Sequence, residues 1–323
     1  MSGTVLVTGA TGFLGGYVCR TLAEQGWRVR GLTRGGALPP GVEAAPADGL
    51  EDEAGLARAV AGADAVVHLA ARVHVMRDAA SDPLAEFRRV NVEGTRRLAR
   101  AAGEAGVRRL VLASSVKAVG ERTDAAWTDD VAPAPADPYG VSKLEAEEAV
   151  LSGEGPDATV LRLPLCYGAG VRANLLRLFH LVARGRPIPL GGVRNRRSLA
   201  YGGNVGAAVA TVLRTPGAAG ERFFVSDGPA VSTPELVRAI GRALGREPRL
   251  VPLPQGLLRA AGRGGDLLAR AIPFPLTTAA VDRLLGSLEV DSSRLARVTG
   301  QPPPFSLEQG LADTARWYRE AHP

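Results

Sequence analysis

The chain has 323 residues, 46% hydrophobic and 22% charged, a composition that fits a soluble globular protein with apolar mass for two lobes around one extended core. Its formal net charge is +6, but the arginines are scattered among acids along the whole length, and no basic run carries the interleaved aromatics of a nucleic-acid surface. No apolar stretch reaches the ~20 residues a membrane helix needs, and a first strand at Thr4 leaves no room for a leader. Cys19 and Cys166 stand far apart in apolar contexts. The expectation is a protein of a reducing cytoplasm, with neither nucleic acid nor membrane as partner.

In chain order, apolar runs alternate with amphipathic stretches. Thr4 to Thr8 reads as strand, Gly15 to Gln25 as helix, Arg28 to Thr33 as strand, Leu56 to Ala61 as helix and Ala65 to Leu69 as strand. Glu86 to Ala105 then reads as a long helix, Arg109 to Ala113 as strand, Pro138 to Leu151 as helix and Ala158 to Leu163 as strand. This alternation predicts a doubly wound α/β domain, a parallel sheet covered on both faces. Beyond Pro164 glycine and proline increase and short helices replace the regular pattern. We therefore divide the chain into a doubly wound α/β domain, residues 1–164, and a smaller α/β lobe, residues 165–323, packed over the carboxyl ends of the strands where such sheets bind ligands, with some elements of the second returning to the sheet.

Thr8-Gly9-Ala10-Thr11-Gly12-Phe13-Leu14-Gly15 follows the first strand and opens the first helix. Glycines here permit a tight turn and close approach of backbone to a pyrophosphate, while the helix N-terminus attracts the anion. After the second strand, where an NAD enzyme usually carries an acid for the ribose 2′-hydroxyl, stands Thr33-Arg34. An arginine can pair with a 2′-phosphate, so NADP is expected in preference to NAD.

A second signal is the run Asp137-Pro-Tyr-Gly-Val-Ser-Lys143. Tyr139 and Lys143 at i and i+4 share a helix face, and a nearby cation favours the phenolate over a phenol of pKa ~10. Lys117 and Lys143 are the two lysines among 39 basic residues, and a compact ammonium is not interchangeable with a planar guanidinium.

The Gly-x-x-Gly-x-x-Gly spacing with Tyr-x-x-x-Lys resembles the short-chain dehydrogenase/reductase superfamily, in its extended branch, over nearly the whole chain. The resemblance implies a nicotinamide oxidoreductase, commonly a homodimer formed through the Glu86 and Pro138 helices. Gly9, Thr11, Gly12, Phe13, Leu14 and Gly15 would cradle the cofactor, Asp48 with Gly49 would meet the adenine, and Leu69, Ala70 and Ala71 would lie against a ribose. Asn91 would shape the active-site backbone, and Pro164 with Leu165 would pass the nicotinamide. Ser115, Tyr139 and Lys143 would be catalytic: Ser115 holding the substrate oxygen, Tyr139 exchanging a proton with it, Lys143 holding the nicotinamide ribose and keeping Tyr139 acidic.

Departures from the family narrow the chemistry. Dehydratases of the branch place Asp-Glu after the catalytic hydroxyl, whereas this chain has Val116-Lys117, which argues against water elimination. Asn174 and Arg197 resemble positions that hold a nucleotide diphosphate, Arg283 reads either as a further phosphate ligand or as a surface residue, and Lys117 reads either as a contact to a substrate phosphate or as a loop cap. UDP-galactose 4-epimerases have Asn where Leu165 stands. The stretches His68 to Met76, Asn195 to Leu199, Ser226 to Gly228 with Ser232-Thr233, and Gly286 to Asp291 resemble bacterial 4-ketoreductases of UDP-N-acetylquinovosamine-type sugars. The expected substrate is a nucleotide-diphosphate sugar, with UDP as nucleotide. The expected reaction is reduction of a 4-keto sugar, with 4-epimerisation on tightly bound NAD, or a non-catalytic NAD(P)-sensing module, as alternatives. His68 and His74 have no cysteine or further histidine at ligand spacing, so no metal is expected.

Overall fold

The computed structural model describes residues 3–73, 82–153, 155–269 and 277–322. The first half contains β1 (Thr4–Thr8), α1 (Phe13–Glu24), β2 (Arg28–Thr33), β3 (Glu43–Pro46), α2 (Glu53–Val60), β4 (Ala65–His68), α3 (Pro83–Phe87), α4 (Gly94–Glu104), β5 (Arg109–Ser115), α5 (Pro138–Leu151) and β6 (Asp157–Leu163). The second contains β7 (Leu165–Tyr167), α6 (Ala173–Ala183), β8 (Leu199–Tyr201), α7 (Gly202–Val212), β9 (Arg222–Phe224), α8 (Thr233–Leu244), α9 (Gln255–Leu268), α10 (Thr278–Leu285), α11 (Ser293–Thr299) and α12 (Leu307–Ala321). Seven strands form one parallel sheet in the order β3-β2-β1-β4-β5-β6-β9, and β7 pairs with β8 in a small second sheet.

Both faces of the large sheet are covered, so its strands are apolar at successive positions rather than alternately. Val5, Val7, Val67, Val111 and Leu161 pack with α1 and α7 on one face. Leu6, Val66, Leu110, Leu112 and Val160 pack with α2, α4 and α5 on the other. β9 returns from the second half of the chain to the sheet edge beside β6. Tyr167, Phe179, Leu190, Leu236, Ile240 and Leu311 of the second half form a separate apolar cluster, which reaches Tyr17 of α1.

The strands expected at Thr4 to Thr8 and Arg28 to Thr33 and the helix at Pro138 to Leu151 have those limits. β3 has no counterpart in the sequence reading: three of its four residues are exposed, and pairing with β2 is what makes it a strand. The helix expected from Glu86 starts earlier, at Pro83, where Asp82 caps it, and between α3 and α4 it contains a π turn, Arg88–Glu93, that includes Asn91. Extra residues of this kind recur at functional sites because they reorient one side chain within a regular helix.

Strand order reverses between β1 and β4: β2 and β3 lie to one side of β1, β4 and β5 to the other. Chains leaving the carboxyl ends of β1 and β4 therefore diverge to opposite faces and leave a crevice, the usual ligand site of such sheets. Close by, Arg162 and Glu147 are buried as an ion pair, Nη2 to Oε2 2.7 Å, with 2% and 0% of their side chains exposed. Ser114 Oγ donates to the same carboxylate at 2.5 Å, and Arg222 reaches it at 3.3 Å. Glu147→Ala would strand a buried guanidinium and is expected to destabilise the protein by about 3–5 kcal/mol, whereas Glu147→Leu with Arg162→Met should recover most of that loss. Urea denaturation of the three proteins measures both effects.

Candidate active site

The glycine loop leaves β1 at Gly9, whose φ of +70° is accessible chiefly to glycine. A Cβ there would come within 2.8 Å of the Ala70 nitrogen, so only glycine lets the loop lie on the end of β4. Gly12 caps α1 in an extended conformation without a side-chain hydrogen bond, which leaves first-turn amides available to an anion. Thr11 is exposed, Phe13 and Leu14 are half-buried, and Gly15 is buried. A dinucleotide pyrophosphate fits this cradle on local geometry. Along the same crevice, exposed Arg34 lies with its Cδ beside Gly49, which turns at φ +125°. Asp48 is exposed, its backbone fixed by donation to Asp52 Oδ2 at 3.1 Å. Leu69, Ala70 and Ala71 are half-buried at the end of β4.

Tyr139 begins α5 one residue after Pro138, and Asp137 caps that helix by accepting from Gly140 N at 2.7 Å. Gly140 is buried, and a Cβ on it would meet the Lys117 carbonyl at 2.4 Å. This contact brings the start of α5 against the turn after β5, where the Ser115 hydroxyl accepts from Lys117 N at 3.2 Å and lies near enough to the Tyr139 phenol to favour its ionised form. The Phe87 ring stands edge-on to Tyr139, centroids 5.8 Å apart. Ser114, one residue earlier on the strand, points the other way, to Glu147.

Lys143 is 3% exposed and donates from Nζ to the Ala113 carbonyl at 2.7 Å. Burial pushes its ammonium down to about 8 against the opposing effect of Glu147. Burial likewise pushes the Tyr139 phenol up to about 12, with the nearby Ser115 hydroxyl working against it. This differs from the acidified tyrosine expected beside a lysine. Desolvation dominates, and the ammonium is engaged by a carbonyl rather than by the phenol.

Asn91 is 2% exposed and holds the backbone of Arg72 from both sides, accepting from its N–H at 2.8 Å and donating to its carbonyl at 3.0 Å. It also donates to Ser142 Oγ at 3.0 Å, and Ser142 donates to the Tyr139 carbonyl at 2.8 Å. Ser142, and Thr8 and Thr95 on either side of His68, were not singled out in the sequence. Small hydroxyls in regular elements carry no distinctive spacing, although Thr8 immediately precedes the glycine motif.

The proposed substrate contacts divide into three groups. Lys117, expected on a phosphate, is bound by Asp137 at 2.5 Å and Glu121 at 2.7 Å. Burial opposes its charge, the two carboxylates outweigh burial, and its pKa is raised. Arg197 donates to the Arg283 carbonyl at 2.8 Å, which places those two residues together, while Arg283 itself is exposed. Arg197 has no ion pair among the described residues and burial lowers its pKa, whereas neighbouring Arg196 is held bidentately by Glu289 at 2.5 and 2.7 Å. Asn174 is exposed in the first turn of α6, directly after Ala173 with its φ of +56°. Pro164 is buried where β6 ends, and Leu165 is 44% exposed.

Three of the stretches singled out in the sequence, all but His68 to Met76, are stitched to one another among the described residues. Asn195 bonds to Thr233, Leu284 and Gly286, Arg197 bridges Val231 and Leu288, Ser198 bonds to Val290, and Ser226 bonds to Ser292. His68 is buried, and His74 lies outside the described residues. A cavity of about 240 Å³ lined by Asn204, Ser226, Ser292 and Pro302–Pro304 includes none of Ser115, Tyr139 or Lys143. No helix among the described residues is long and apolar enough to cross a membrane.

Residues 5–225 match the model of the NAD dependent epimerase/dehydratase family. A UDP-glucose 4-epimerase of Vibrio cholerae is 34% identical, over 100% of this chain and 97% of its own length. A ceramide reductase of Caulobacter vibrioides is 30% identical, over 99% of this chain and 95% of its own. The solved structure of MoeE5 in complex with UDP-glucuronic acid and NAD superposes with a TM-score of 0.77 at 27% identity, covering 99% of this chain and 100% of that one. With glycine cradle, serine, tyrosine and lysine arranged around one crevice and similarity that runs end to end, this chain belongs to the NAD-dependent epimerase/dehydratase family and is an NAD(P)-dependent enzyme.

Proposed function

We propose that the protein moves hydride between a nicotinamide and C4 of a nucleotide-diphosphate sugar, with net reduction of a 4-keto sugar as its reaction. The observation that carries this reading is the half-buried Tyr139 at the start of α5, brought against the Ser115 turn by the contact of Gly140 with the Lys117 carbonyl, its phenol kept protonated by desolvation. A phenol pushed up to about 12 keeps its proton at neutral pH and can deliver it to a carbonyl oxygen. When bound, the cofactor supplies the hydride to C4. Ser115 holds the carbonyl oxygen, the π pair moves onto that oxygen, and Tyr139 provides the proton that completes the hydroxyl. Lys143, four residues along the same helix, stabilises the phenolate left behind.

Residues 165–323 serve in this reading as the substrate lobe. Arg197 is its diphosphate ligand, because a guanidinium without a carboxylate partner among the described residues attracts an anion and pairs with phosphate oxygens in fixed geometry. Arg34 beside Gly49 favours a cofactor 2′-phosphate and hence NADPH. The Val116-Lys117 pair and the engagement of Lys117 with Asp137 leave no acid–base pair for dehydration.

A second reading is 4-epimerisation with retained NAD, favoured by the end-to-end similarity to the Vibrio cholerae enzyme named for that activity. Consumption of added NADPH with a UDP-4-keto sugar supports the reductase. Purified protein that retains NAD and interconverts UDP-hexoses without added cofactor would sink it.

Three outcomes are expected. Tyr139→Phe lowers kcat by about 10²–10⁴-fold, measured with saturating substrate and cofactor. In wild type, kcat/KM falls as pH rises through about 8, where the Lys143 ammonium loses its proton, and Lys143→Met abolishes that limb. Arg197→Met raises the KM for the sugar nucleotide by about 10–100-fold, the loss of one charge-assisted bond, while Arg196→Met leaves it within about 2-fold.

A further inference from the structure

Between the glycine loop and the tyrosine helix runs a continuous chain of buried hydrogen bonds. Thr8 Oγ1 lies 2.6 Å from His68 Nδ1, and His68 Nε2 lies 2.9 Å from Thr95 Oγ1. Thr95 Oγ1 is 2.6 Å from the Asn91 carbonyl. Asn91 continues through Ser142 to the Tyr139 carbonyl. At the other end, Thr8 Oγ1 accepts from Ala70 N at 3.1 Å.

The proton order along this chain is unambiguous. A carbonyl cannot donate, so Thr95 gives its one hydrogen to Asn91 and must accept from His68. His68 therefore carries its proton on Nε2. It is 1% exposed, and burial followed by the Lys143 ammonium pushes it down to about 3, so it is neutral. Its bare Nδ1 then accepts from Thr8. A neutral imidazole with one donor and one acceptor suits this junction, because the two sides demand opposite roles.

We propose that His68 is a positioning residue with two separable arms: through Thr8 it sets the Ala70 backbone at the cofactor, and through Thr95 and Asn91 it sets the helix that carries Tyr139. The inference rests on the reading of the site as a nicotinamide oxidoreductase. Its arms can be cut one at a time, since an asparagine amide reaches about as far as Nδ1 and a glutamine amide about as far as Nε2. His68→Asn retains the Thr8 arm. His68→Gln retains the Thr95 arm.

The test measures the cofactor Kd by calorimetry and kcat at saturating cofactor for both variants. His68→Asn is expected to lower kcat about 10-fold with Kd within about 2-fold, and His68→Gln to raise Kd about 10-fold with kcat within about 3-fold. Should either fail to fold, Thr95→Val and Thr8→Val cut the same arms. Equal shifts of both constants in both variants, or no shift in either, would overturn the proposal. Histidine ¹⁵N spectra of wild type give an independent decision: a protonated Nε2 and bare Nδ1 support it, and the opposite tautomer overturns it. Failure of wild type to bind NAD or NADP would defeat the proposed function alone, because the tautomer reports the link without cofactor.

Discussion

The pairing of β1 with β4 at the point where strand order reverses is the constraint on which the site depends. Two parallel strands ending side by side, with chains departing to opposite faces, expose backbone groups that neither helices nor further strands can satisfy. On the cofactor side the loop answers with glycine, which permits the turn and its contact with Ala70. Below it, Thr8 and His68 occupy the last register pair of the two strands and satisfy each other while reaching the neighbouring elements. Crevice and polar foundation thus have a common origin in the strand crossing.

Above that foundation, the electrostatics of the site follow from dryness. Tyr139 and Lys143 are both driven towards neutrality by burial, the phenol by keeping its proton and the ammonium by losing one more readily. Glu147, four residues beyond Lys143, opposes the second shift and is itself held by hydrogen bonds from Arg162 and Ser114. The Lys143 ammonium therefore draws on a carboxylate anchored to β5 and β6, so a packing feature of the fold also acts on the charge of the crevice.

Much of this was legible where the cause is local. The limits of β1, β2 and α5 follow from apolar runs and from Asp137-Pro138 at a helix start. The opposite orientations of Ser114 and Ser115 follow from the two-residue period of a strand. What escaped depends on distant partners. β3 is a strand by virtue of β2. Lys117 shows one partner at i+4, but Asp137 lies 20 residues on and turns a possible ligand into a brace. Arg196 and Arg197 are indistinguishable in sequence, and only a glutamate 93 residues later separates the paired one from its neighbour.

The hydroxyl of Tyr17, in the helix that the glycine loop opens, donates to Asp313 across 296 residues and also meets the Ala169 amide. Tyr201 donates to the same carboxylate. On the ribosome, the first helix emerges long before α12 exists to receive it. The helix opened by the glycine loop therefore acquires this support only once α12 has been made, and contacts of this sequence separation close slowly. A nascent chain can form most of its sheet while its first helix still awaits the residue that steadies it.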